Sequence, residues 1–414
     1  MSENEERSAA RARSYLNVIS DTFYYTYECK QPLDNTLRNF FRENKKYGSK
    51  DRRFISDSLY AIYRWFGWLK EELPEKPIFP EDCEFFCNFL LKALEWDCCM
   101  EDHPVVLYLK KRYSFVNPDT EDLLQLVPEW LIEDLEEEFD EDDIEDEYIV
   151  PMQKRPPVWV RLQGKRHDEA IKELTDRLAE PKEHERIENA VKLTGSRLNL
   201  VQFVGYRNGA FEIQDLASQC LGVLCAPKEG ESWWDVCAGG GGKSLQLADI
   251  LRKSGKVLST DIREWKLKEI LKRASRARLK NIQTSTLVEG RKQKFDGVLI
   301  DAPCSCTGVW RRNPESRWMT SEEDVQEVAR TQRQILEESF HTVKPGGKLI
   351  YATCSVTRTE NELVVKDFLK DHPQFELVPV RHPLTREKTK GIVRINFLPD
   401  DCDAMFAAVM VRSC

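Results

Sequence analysis

Two cysteines and one aspartate stand at the ends of apolar runs, where their side chains could carry covalent chemistry. Asp301 ends the run 295–301 and Cys304 follows it closely, while Cys354 follows the run 348–353. Open α/β sheets bind ligands outside the carboxyl ends of their strands, so we expect Asp301, Cys304 and Cys354 to converge. A lone cysteine is usually an inert buried side chain, but two at neighbouring strand ends favour a thiolate nucleophile.

A glycine-rich turn stands between a predicted strand and a predicted helix, in the sequence WWDVCAGGGGKS at 233–244. Glycines allow the backbone to approach a ligand closely, and the helix N-terminus behind them offers free N–H groups. A P-loop would require glycine where the chain has Cys237, and a dinucleotide loop would require glycine where it has Ser244. Both alternatives are therefore weak, and S-adenosylmethionine is the remaining ligand.

Asp261 ends the next predicted strand, where a carboxylate can accept hydrogen bonds from both hydroxyls of a ribose. NAD would use the same carboxylate. An aspartate just before a helix could equally serve as the N-cap of that helix. Asp261 therefore supports a nucleoside-containing cofactor without choosing between the two.

The elements that must hold these groups alternate between strand and helix. Strands are predicted at 232–236, 257–260, 295–301 and 348–354, and helices at 243–251 and 264–279. This alternation predicts a mostly parallel, doubly wound sheet.

Two further regions precede this sheet. Apolar residues recur at helical spacing from about residue 8 to about residue 140. A strand-like run at 158–162 is followed by a helical stretch at 168–179, which predicts a small α+β unit. We therefore divide the chain into a helical domain at 1–147, a small α+β domain at 148–210 and a catalytic domain at 211–414.

The net charge of −9 over 414 residues hides a segregation of charge. Residues 71–150 hold 26 acidic and 5 basic side chains, a local charge of −21, so the rest of the chain carries +12. The average therefore does not exclude a nucleic-acid partner. The most acidic part, 133–147, predicts either an exposed helix face or a solvated linker.

Two basic groups lie near the motifs that carry chemistry and could contact nucleic-acid phosphates. Arg311, Arg312 and Arg317 follow Cys304, and we expect them to meet phosphate. The second group crowds one predicted helix and is equally typical of a solvated helix face. It comprises Arg263, Lys266, Lys268, Lys272, Arg273, Arg276, Arg278 and Lys280.

Thirteen cysteines without an apolar signal sequence at the start predict a reducing, cytoplasmic location. No apolar run approaches the ~18 residues that a membrane span needs. Cys83 with Cys87, and Cys98 with Cys99, do not form the paired C-x-x-C hooks of a structural zinc site. We therefore expect no metal ion and no membrane contact.

Three motifs together resemble those of the Sun/RsmB family of RNA cytosine-5 methyltransferases. They are DVCAGGGGKS at 235–244, DAPCSCTG at 301–308 and YATCSV at 351–356, and the likeness is clear from about 210 to 380. A weaker likeness to the NusB-like domain of the bacterial ribosomal-RNA member covers 32–65.

The sequence departs from the family pattern at two points. Gly239 and Gly240 stand where the family usually has Ala-Pro, and Cys306 stands where it usually has glycine. The first change preserves the access of the backbone to a cofactor. The second adds a third thiol near the site.

The resemblance implies a Rossmann-like, S-adenosylmethionine-dependent methyltransferase sheet, preceded by an all-α NusB-like domain and a small α+β domain. It assigns the nucleophile that adds to C6 of cytosine to Cys354, and assistance in releasing the product to Cys304. Asp301 would bind the cytosine edge or lie close to the methyl donor, and Lys243 would complete the catalytic set. The residues alone leave the nucleophile open, because the DNA enzymes use a Pro-Cys motif and Pro303-Cys304 has that form.

The implied cofactor site surrounds the glycine-rich turn and the strand ends beside it. It comprises Cys237, Ala238, Gly239, Gly240, Gly241, Gly242, Lys243, Asp261, Arg263, Glu289 and Asp301.

The expected activity is methylation of cytosine C5 in RNA, on small-subunit (16S) ribosomal RNA. One alternative is a transfer-RNA methyltransferase, which would share every catalytic residue. Another is a non-catalytic RNA-binding protein derived from the family, and the presence of Lys243, Asp301 and both motif cysteines argues against it. RNA is the expected partner in each case, with ribosomal RNA preferred to transfer RNA.

Overall fold

The chain divides into two compact units in a computed structural model that describes residues 3–73, 83–98, 100–113, 122–195, 199–252 and 254–413. The first unit comprises Met1–Arg155 with Trp310–Ser321, and the second comprises Pro156–Val309 with Glu322–Cys414. Cys99 and the side chain of Cys83, which entered the argument against zinc, lie outside the described residues. Within those residues, no helix combines the length and the hydropathy that crossing a bilayer requires.

The first unit is built from helices around an apolar core. Phe54, Ile55, Leu59 and Ile62 recur at helical spacing and are all buried, which confirms the helical pattern of this region. Its helices are α1 (Glu3–Cys29), α2 (Leu33–Glu43), α3 (Ser49–Arg64), α4 (Phe66–Leu69), α5 (Cys83–Trp96), α6 (Pro104–Arg112), α7 (Glu129–Glu136), α8 (Glu141–Ile144) and α9 (Val150–Met152).

The acidic segment 133–147 is a helix face and not a linker. It falls on α7, α8 and the π-helical turn Glu145–Ile149. Leu135, Ile144 and Tyr148 are buried, while most of the carboxylates between them are exposed. Amphipathic spacing therefore persists beneath the high charge.

The segment Trp310–Ser321 corrects one expectation from the sequence. Arg317 is 0% exposed, and its Nη1 donates to Leu126 O at 2.6 Å and to Gln153 Oε1 at 3.2 Å, all within the first unit. Arg311 is buried as well, whereas Arg312 is partly exposed. The prediction that Arg311 and Arg317 contact phosphate is therefore wrong, because these guanidinium groups satisfy backbone and amide oxygens inside a folded core.

The second unit holds a small antiparallel sheet in the order β2-β3-β1-β4. Its strands are β1 (Val158–Leu162), β2 (Pro181–Glu183), β3 (Ala190–Leu193) and β4 (Phe211–Ile213), and its helices are α10 (His167–Asp176) and α11 (Val204–Arg207). Val160, Leu174, Val191 and Phe211 share one core beneath it. The predicted α+β region is confirmed here, and Phe211, the first residue assigned to the catalytic domain, pairs with Leu162 in this sheet.

The same unit holds an eight-stranded sheet whose main path runs β10-β14-β9-β8-β5-β6-β7, with β13 paired to β14. The remaining strands of the chain are β5 (Ser232–Asp235), β6 (Lys256–Thr260), β7 (Ile282–Ser285), β8 (Phe295–Asp301), β9 (Val343–Thr353), β10 (Phe375–Leu377), β11 (Val380–Arg381), β12 (Lys388–Thr389), β13 (Ile392–Ile395) and β14 (Met405–Arg412), of which β11 and β12 form a separate pair. The remaining helices are α12 (Leu216–Cys225), α13 (Gly242–Leu251), α14 (Glu264–Arg276), α15 (Leu287–Arg291), α16 (Glu322–Ser339) and α17 (Glu362–Asp371).

Strands β5 to β9 are mutually parallel, whereas β10, β13 and β14 pair antiparallel at the other end of the sheet. The order reverses at β5, because β6 and β7 follow on one side and β8 and β9 on the other. Such a reversal opens a crevice at the carboxyl ends of the strands. The predicted doubly wound α/β class, with an all-α region before it, is confirmed.

Both faces of this sheet are covered. Trp233 and Trp234 are neighbours on β5 and belong to different apolar cores, because successive side chains of a strand point to opposite faces. A glycine on β8 accommodates the first indole, since a Cβ on Gly297 would lie 2.3 Å from Trp233 Cε2.

Gly297→Ala should therefore lower the free energy of unfolding by about 1–3 kcal/mol, because the added methyl overpacks a rigid strand pair. Urea denaturation measures the change. Gly242→Ala is the matched control, since a Cβ there meets nothing within 4 Å, and it should change stability by less than about 1 kcal/mol. Equal losses in both variants would contradict the packing argument.

Candidate active site

The carboxyl ends of β5 and β6 are joined by a buried hydrogen-bond chain. Ser244 Oγ donates to Asp235 Oδ2 at 2.6 Å, and Ser259 Oγ donates to Ser244 Oγ at 2.8 Å. Asp235 is the last residue of β5, and Ser259 is the last but one of β6. Ser244 lies in the first turn of α13. The start of α13 is thereby fixed against the two strands that flank the crevice.

The glycine-rich turn needs glycine where its backbone is left-handed and crowded. Gly241 has a φ of +82°, and a Cβ on it would lie 2.7 Å from Ile270 Cγ1. Gly239 also has a positive φ, and a Cβ on it would meet nothing within 4 Å. The turn therefore packs tightly on α14 at Gly241 and leaves open space beside Gly239.

Asp261 faces this open turn. Its Oδ2 accepts from Gly239 N at 2.9 Å, and its Oδ1 accepts from Arg263 N and Arg263 Nε, each at 2.9 Å. Burial favours the neutral acid, but these hydrogen bonds outweigh it and hold the pKa of Asp261 below its ordinary value. The carboxylate is therefore ionised and suited to accept hydrogen bonds from a ribose.

A cavity of about 660 Å³ lies between the turn and α16. Five of the predicted cofactor residues line it: Cys237, Gly239, Asp261, Arg263 and Asp301. Its size falls within the range of pockets for small organic ligands. The cavity has the volume for a nucleoside-containing cofactor. The open space beside Gly239 and the ionised Asp261 fit the same kind of ligand.

Glu289 is a predicted cofactor residue that does not line the cavity. Its side chain is 54% exposed, and its Oε1 lies 2.5 Å from Lys292 Nζ. Leu287 and Arg291, four residues apart on α15, line the cavity in its place. Residues at i and i+4 share one helix face, and Glu289 lies on another face of α15.

Other cavity residues were not predicted. They include Ile262, next to Asp261, and a set on α16 that sequence reasoning had no reason to choose: Thr331, Gln334, Ile335 and Glu338. Of the remaining predicted turn residues, Gly240 accepts a hydrogen bond through its carbonyl from Arg273, and Ala238 donates to Thr260 O at 2.9 Å. These two therefore act through the backbone.

Lys243 and Asp301 form an ion pair at the edge of the cavity, with Nζ and Oδ2 2.7 Å apart. Burial disfavours the Lys243 ammonium, but the facing carboxylate outweighs it and raises the pKa of Lys243 above its usual value. Burial raises the pKa of Asp301, and Lys243 opposes that shift. The lysine therefore stays cationic beside the strand ends.

Three thiols meet where β8 and β9 end. Cys304 Sγ lies 3.2 Å from Cys354 Sγ, Cys354 Sγ lies 3.7 Å from Cys306 Sγ, and Cys304 Sγ lies 3.9 Å from Cys306 Sγ. All three residues are partly buried. The predicted convergence of Cys304 and Cys354 is confirmed, and Cys306, expected near the site, lies within 4 Å of both sulfur atoms.

The two motif cysteines have opposite protonation preferences. Hydrogen bonds from Cys304 and then Cys306, together with the positive charge of Lys243, lower the pKa of Cys354 well below its usual range. Contact with Cys306 and Cys354 and burial raise the pKa of Cys304. The arrangement can therefore hold a thiolate on Cys354 beside a neutral thiol on Cys304.

Glu360, which sequence reasoning missed, holds the two thiol-bearing loops together. Glu360 is 0% exposed, and its Oε1 accepts from Ser305 N at 2.8 Å and from Gln332 Nε2 at 3.0 Å. Its Oε2 accepts from Ser355 Oγ at 2.6 Å and from Thr357 Oγ1 at 3.0 Å. The spacing of Thr357 and Glu360 has the form of a capping box, which was the available signal.

The reversed strand order, the glycine-rich turn, the ionised Asp261 and the cavity between them occur together at the carboxyl edge of one sheet. In an open α/β sheet this is the place for a nucleoside cofactor. The fold and the site define an S-adenosylmethionine-dependent methyltransferase.

The family profile described as 16S rRNA methyltransferase RsmB/F matches residues 222–411. The chain is 34% identical over 402 residues to the probable ribosomal RNA small subunit methyltransferase B of Bacillus subtilis, covering 91% of this chain and 85% of that protein. The chain belongs to the RsmB/F family of RNA methyltransferases, as the motifs predicted, and S-adenosylmethionine as its cofactor is confirmed.

Other relatives match over a shorter span. The ribosomal RNA small subunit methyltransferase B of Vibrio cholerae is 33% identical over 264 residues, covering 61% of this chain and 58% of that protein. The crystal structure of PH0851 superposes with a TM-score of 0.74 at 25% identity, covering 96% of this chain and 98% of that one. The crystal structure of NSun6 from Pyrococcus horikoshii with SFG has the same fold, with a TM-score of 0.60 at 17% identity. The match covers 69% of this chain and 98% of that one.

The stability of the protein should depend on pH through Asp235. Burial raises the pKa of this carboxyl to about 7, against 3.8 for an ordinary aspartate. The folded state therefore holds a proton that the unfolded chain releases between these values, so this contribution to stability is lost as pH rises from about 4 to about 7. Relative to Asp235→Asn, the native protein should lose about 1–4 kcal/mol across that range in urea denaturation.

Asp296→Asn is the matched control, because hydrogen bonds from Ser232 and the ion pair with Lys344 outweigh burial and lower the pKa of Asp296. A lowered pKa contributes stability that is fully present above about pH 4 and is lost only at lower pH, so this comparison should be nearly flat from about pH 4 to about pH 7. The same pH dependence for both variants would contradict the assignment to Asp235.

Glu360→Ala should destabilise the protein by about 2–4 kcal/mol, because it leaves several buried donors without an acceptor. Glu376→Ala removes an exposed carboxylate of the same unit and should change stability by less than about 0.5 kcal/mol. Thermal and urea unfolding of both variants measure the difference. A loss at Glu360 no larger than that at Glu376 would show that the buried network is dispensable.

Proposed function

We propose that this protein methylates C5 of a cytosine in small-subunit ribosomal RNA through a covalent adduct between Cys354 and C6 of the base. The observation that carries the proposal is the meeting of Cys354 and Cys304 at 3.2 Å, at the sheet edge where Asp301 lines the cofactor cavity. The names of the Bacillus and Vibrio relatives supply the ribosomal target.

The chemistry of cytosine requires a nucleophile of this kind. C5 is a weak nucleophile, and S-adenosylmethionine supplies an electrophilic methyl group for it. The Cys354 thiolate adds to C6, and the electron pair of the 5,6 double bond makes C5 an enamine-like carbon. After methylation the C5 proton leaves to a base, the C6–S bond breaks, and the double bond and the thiolate are restored.

The other side chains serve this sequence of steps. Lys243 helps to keep Cys354 ionised, because its positive charge lowers the pKa of that thiol. Asp301 orients Lys243 through their ion pair and reaches toward the cytosine edge or the methyl donor. Cys304, whose pKa is raised, assists release of the product. The lowered pKa of Cys354, beside the raised pKa of Cys304, supports Cys354 over Cys304 of the Pro-Cys pair as the nucleophile.

The substrate must present C6 to a thiol, so the cytosine is single-stranded or flipped out of a helix. Exposed basic side chains on and after α14, among them Lys268, Lys272 and Arg278, are suited to its phosphates. Two other basic residues of α14, Arg273 and Arg276, instead form ion pairs with the buried carboxylate of Glu212.

The helical region at 1–147 and the α+β region at 148–210 are proposed to bind RNA beside the catalytic domain at 211–414, in the cytoplasm. Residues 71–150, with their local charge of −21, would face away from the phosphates.

Cys354→Ala should lower the rate of RNA methylation by about 10⁴-fold or more, because it removes the nucleophile. Cofactor affinity should change by less than about threefold. Cys304→Ala should instead accumulate a protein–RNA adduct that survives denaturing electrophoresis, since release is impaired and addition is not. Transfer of a labelled methyl group measures the methylation rate, and calorimetry measures cofactor affinity. Denaturing gel electrophoresis detects the protein–RNA adduct.

Cys237→Ala is the matched control, because it removes a thiol that lines the cofactor cavity and is not one of the two proposed reacting thiols. It should form no adduct. Bisulfite sequencing of small-subunit ribosomal RNA and transfer RNA after reaction identifies the target. Turnover retained in Cys354→Ala would sink the mechanism, and methylation confined to transfer RNA would replace the ribosomal substrate.

A further inference from the structure

The three thiols of Cys304, Cys306 and Cys354 have the mutual spacing of a metal-bound thiolate set. Their Sγ–Sγ distances are 3.2, 3.7 and 3.9 Å. Tetrahedral zinc–thiolate bonds of about 2.3 Å place neighbouring sulfur atoms about 3.8 Å apart. Within the described part of the chain, no other group of His, Cys, Asp and Glu side chains has such spacing.

Cys306 occupies a backbone position that disfavours a side chain. Its φ is +61°, in the left-handed region where a Cβ costs about 1–2 kcal/mol relative to the right-handed one. Strain of this kind persists where the surrounding structure holds it, and it concentrates at ligand sites. Here the strained residue directs its sulfur at two others, which is a reason for a cysteine at a glycine-like position.

The loop that carries two of the thiols is held before any ion arrives. Ser305 lies between Cys304 and Cys306, and its N–H donates to the buried Glu360 at 2.8 Å. Glu360 also anchors Ser355, the neighbour of Cys354. A prearranged set of ligands lowers the entropy lost on binding. All three cysteines are partly buried.

We propose that Cys304, Cys306 and Cys354 form an inhibitory site for a thiophilic divalent cation such as Zn²⁺. Three metal–sulfur bonds form, the protons of the neutral thiols pass to solvent, and the fourth coordination position is left for water. The sulfur atom of Cys354 is then bound to the ion and cannot add to a base. The inhibitory effect rests on the proposed nucleophile, whereas the binding of the ion does not.

This site differs from the structural zinc that the sequence argued against. Its three ligands lie on the loops that follow β8 and β9, and those loops are already held by Glu360. The fold therefore does not need the ion, and binding of the ion would block only the proposed nucleophile.

Cadmium provides a direct probe, because Cd²⁺–thiolate bonds give an ultraviolet charge-transfer band. Metal-free protein in which exposed Cys29 and Cys98 are replaced by serine is titrated with Cd²⁺, and then with Zn²⁺ as competitor. One equivalent should bind with three thiolates. Cys306→Gly should weaken binding at least about 100-fold, and glycine fits a φ of +61° without strain, so the variant should fold.

Cys237→Ser is the matched control and should bind Cd²⁺ as the parent protein does. Methylation is then measured with and without Zn²⁺, each variant against its own metal-free rate. The parent and Cys237→Ser should be inhibited and recover with chelator, whereas Cys306→Gly should resist at the same Zn²⁺ concentration.

Equal cadmium affinity in the parent and in Cys306→Gly would overturn the three-thiol site. Tight binding without loss of methylation would refute the inhibitory role. A protein that binds cadmium through the three thiols but has no methyltransferase activity even without metal would refute the proposed function and leave the metal site standing, so the two failures are distinguishable.

Discussion

The thiol site depends on one buried carboxylate. A buried carboxylate is stable only when donors satisfy its oxygen atoms, and Glu360 finds them after β8 at Ser305 and after β9 at Ser355 and Thr357. Each serine is the next residue after a motif cysteine. The need of one acid for donors therefore sets the distance between two loops that lie 50 residues apart in the chain, and with it the 3.2 Å separation of the sulfur atoms.

A second electrostatic connection joins the thiols to the cofactor cavity. Asp301 lines the cavity and pairs with Lys243, and the positive charge of Lys243 lowers the pKa of Cys354. Lys243 directly follows the glycine-rich turn. The hydrogen bonds that join Asp235, Ser244 and Ser259 fix this part of the chain against β5 and β6. The glycine-rich turn and Cys354, the proposed nucleophile, are therefore joined by one connected set of contacts.

Much of the fold could be predicted from local pattern. The alternation of apolar runs and helices predicted the parallel strands, and the polar residue ending each run located Asp261, Asp301 and Cys354 at one edge of the sheet. Predictions that needed knowledge of burial were less successful. Arg317 follows a motif cysteine and suggests a phosphate contact, yet it lies inside the helical unit and binds carbonyl oxygens.

The sequence by itself determined the class of sheet, the cofactor turn and the identity of the two motif cysteines, because these depend on periodicity and on residue types at short spacing. Only the tertiary structure decided which thiol is favoured as thiolate, that Glu360 holds both loops, and that Cys306 joins the cluster. Those outcomes depend on distances between residues far apart in the chain and on exclusion of water, and neither quantity is encoded in the order of neighbouring residues.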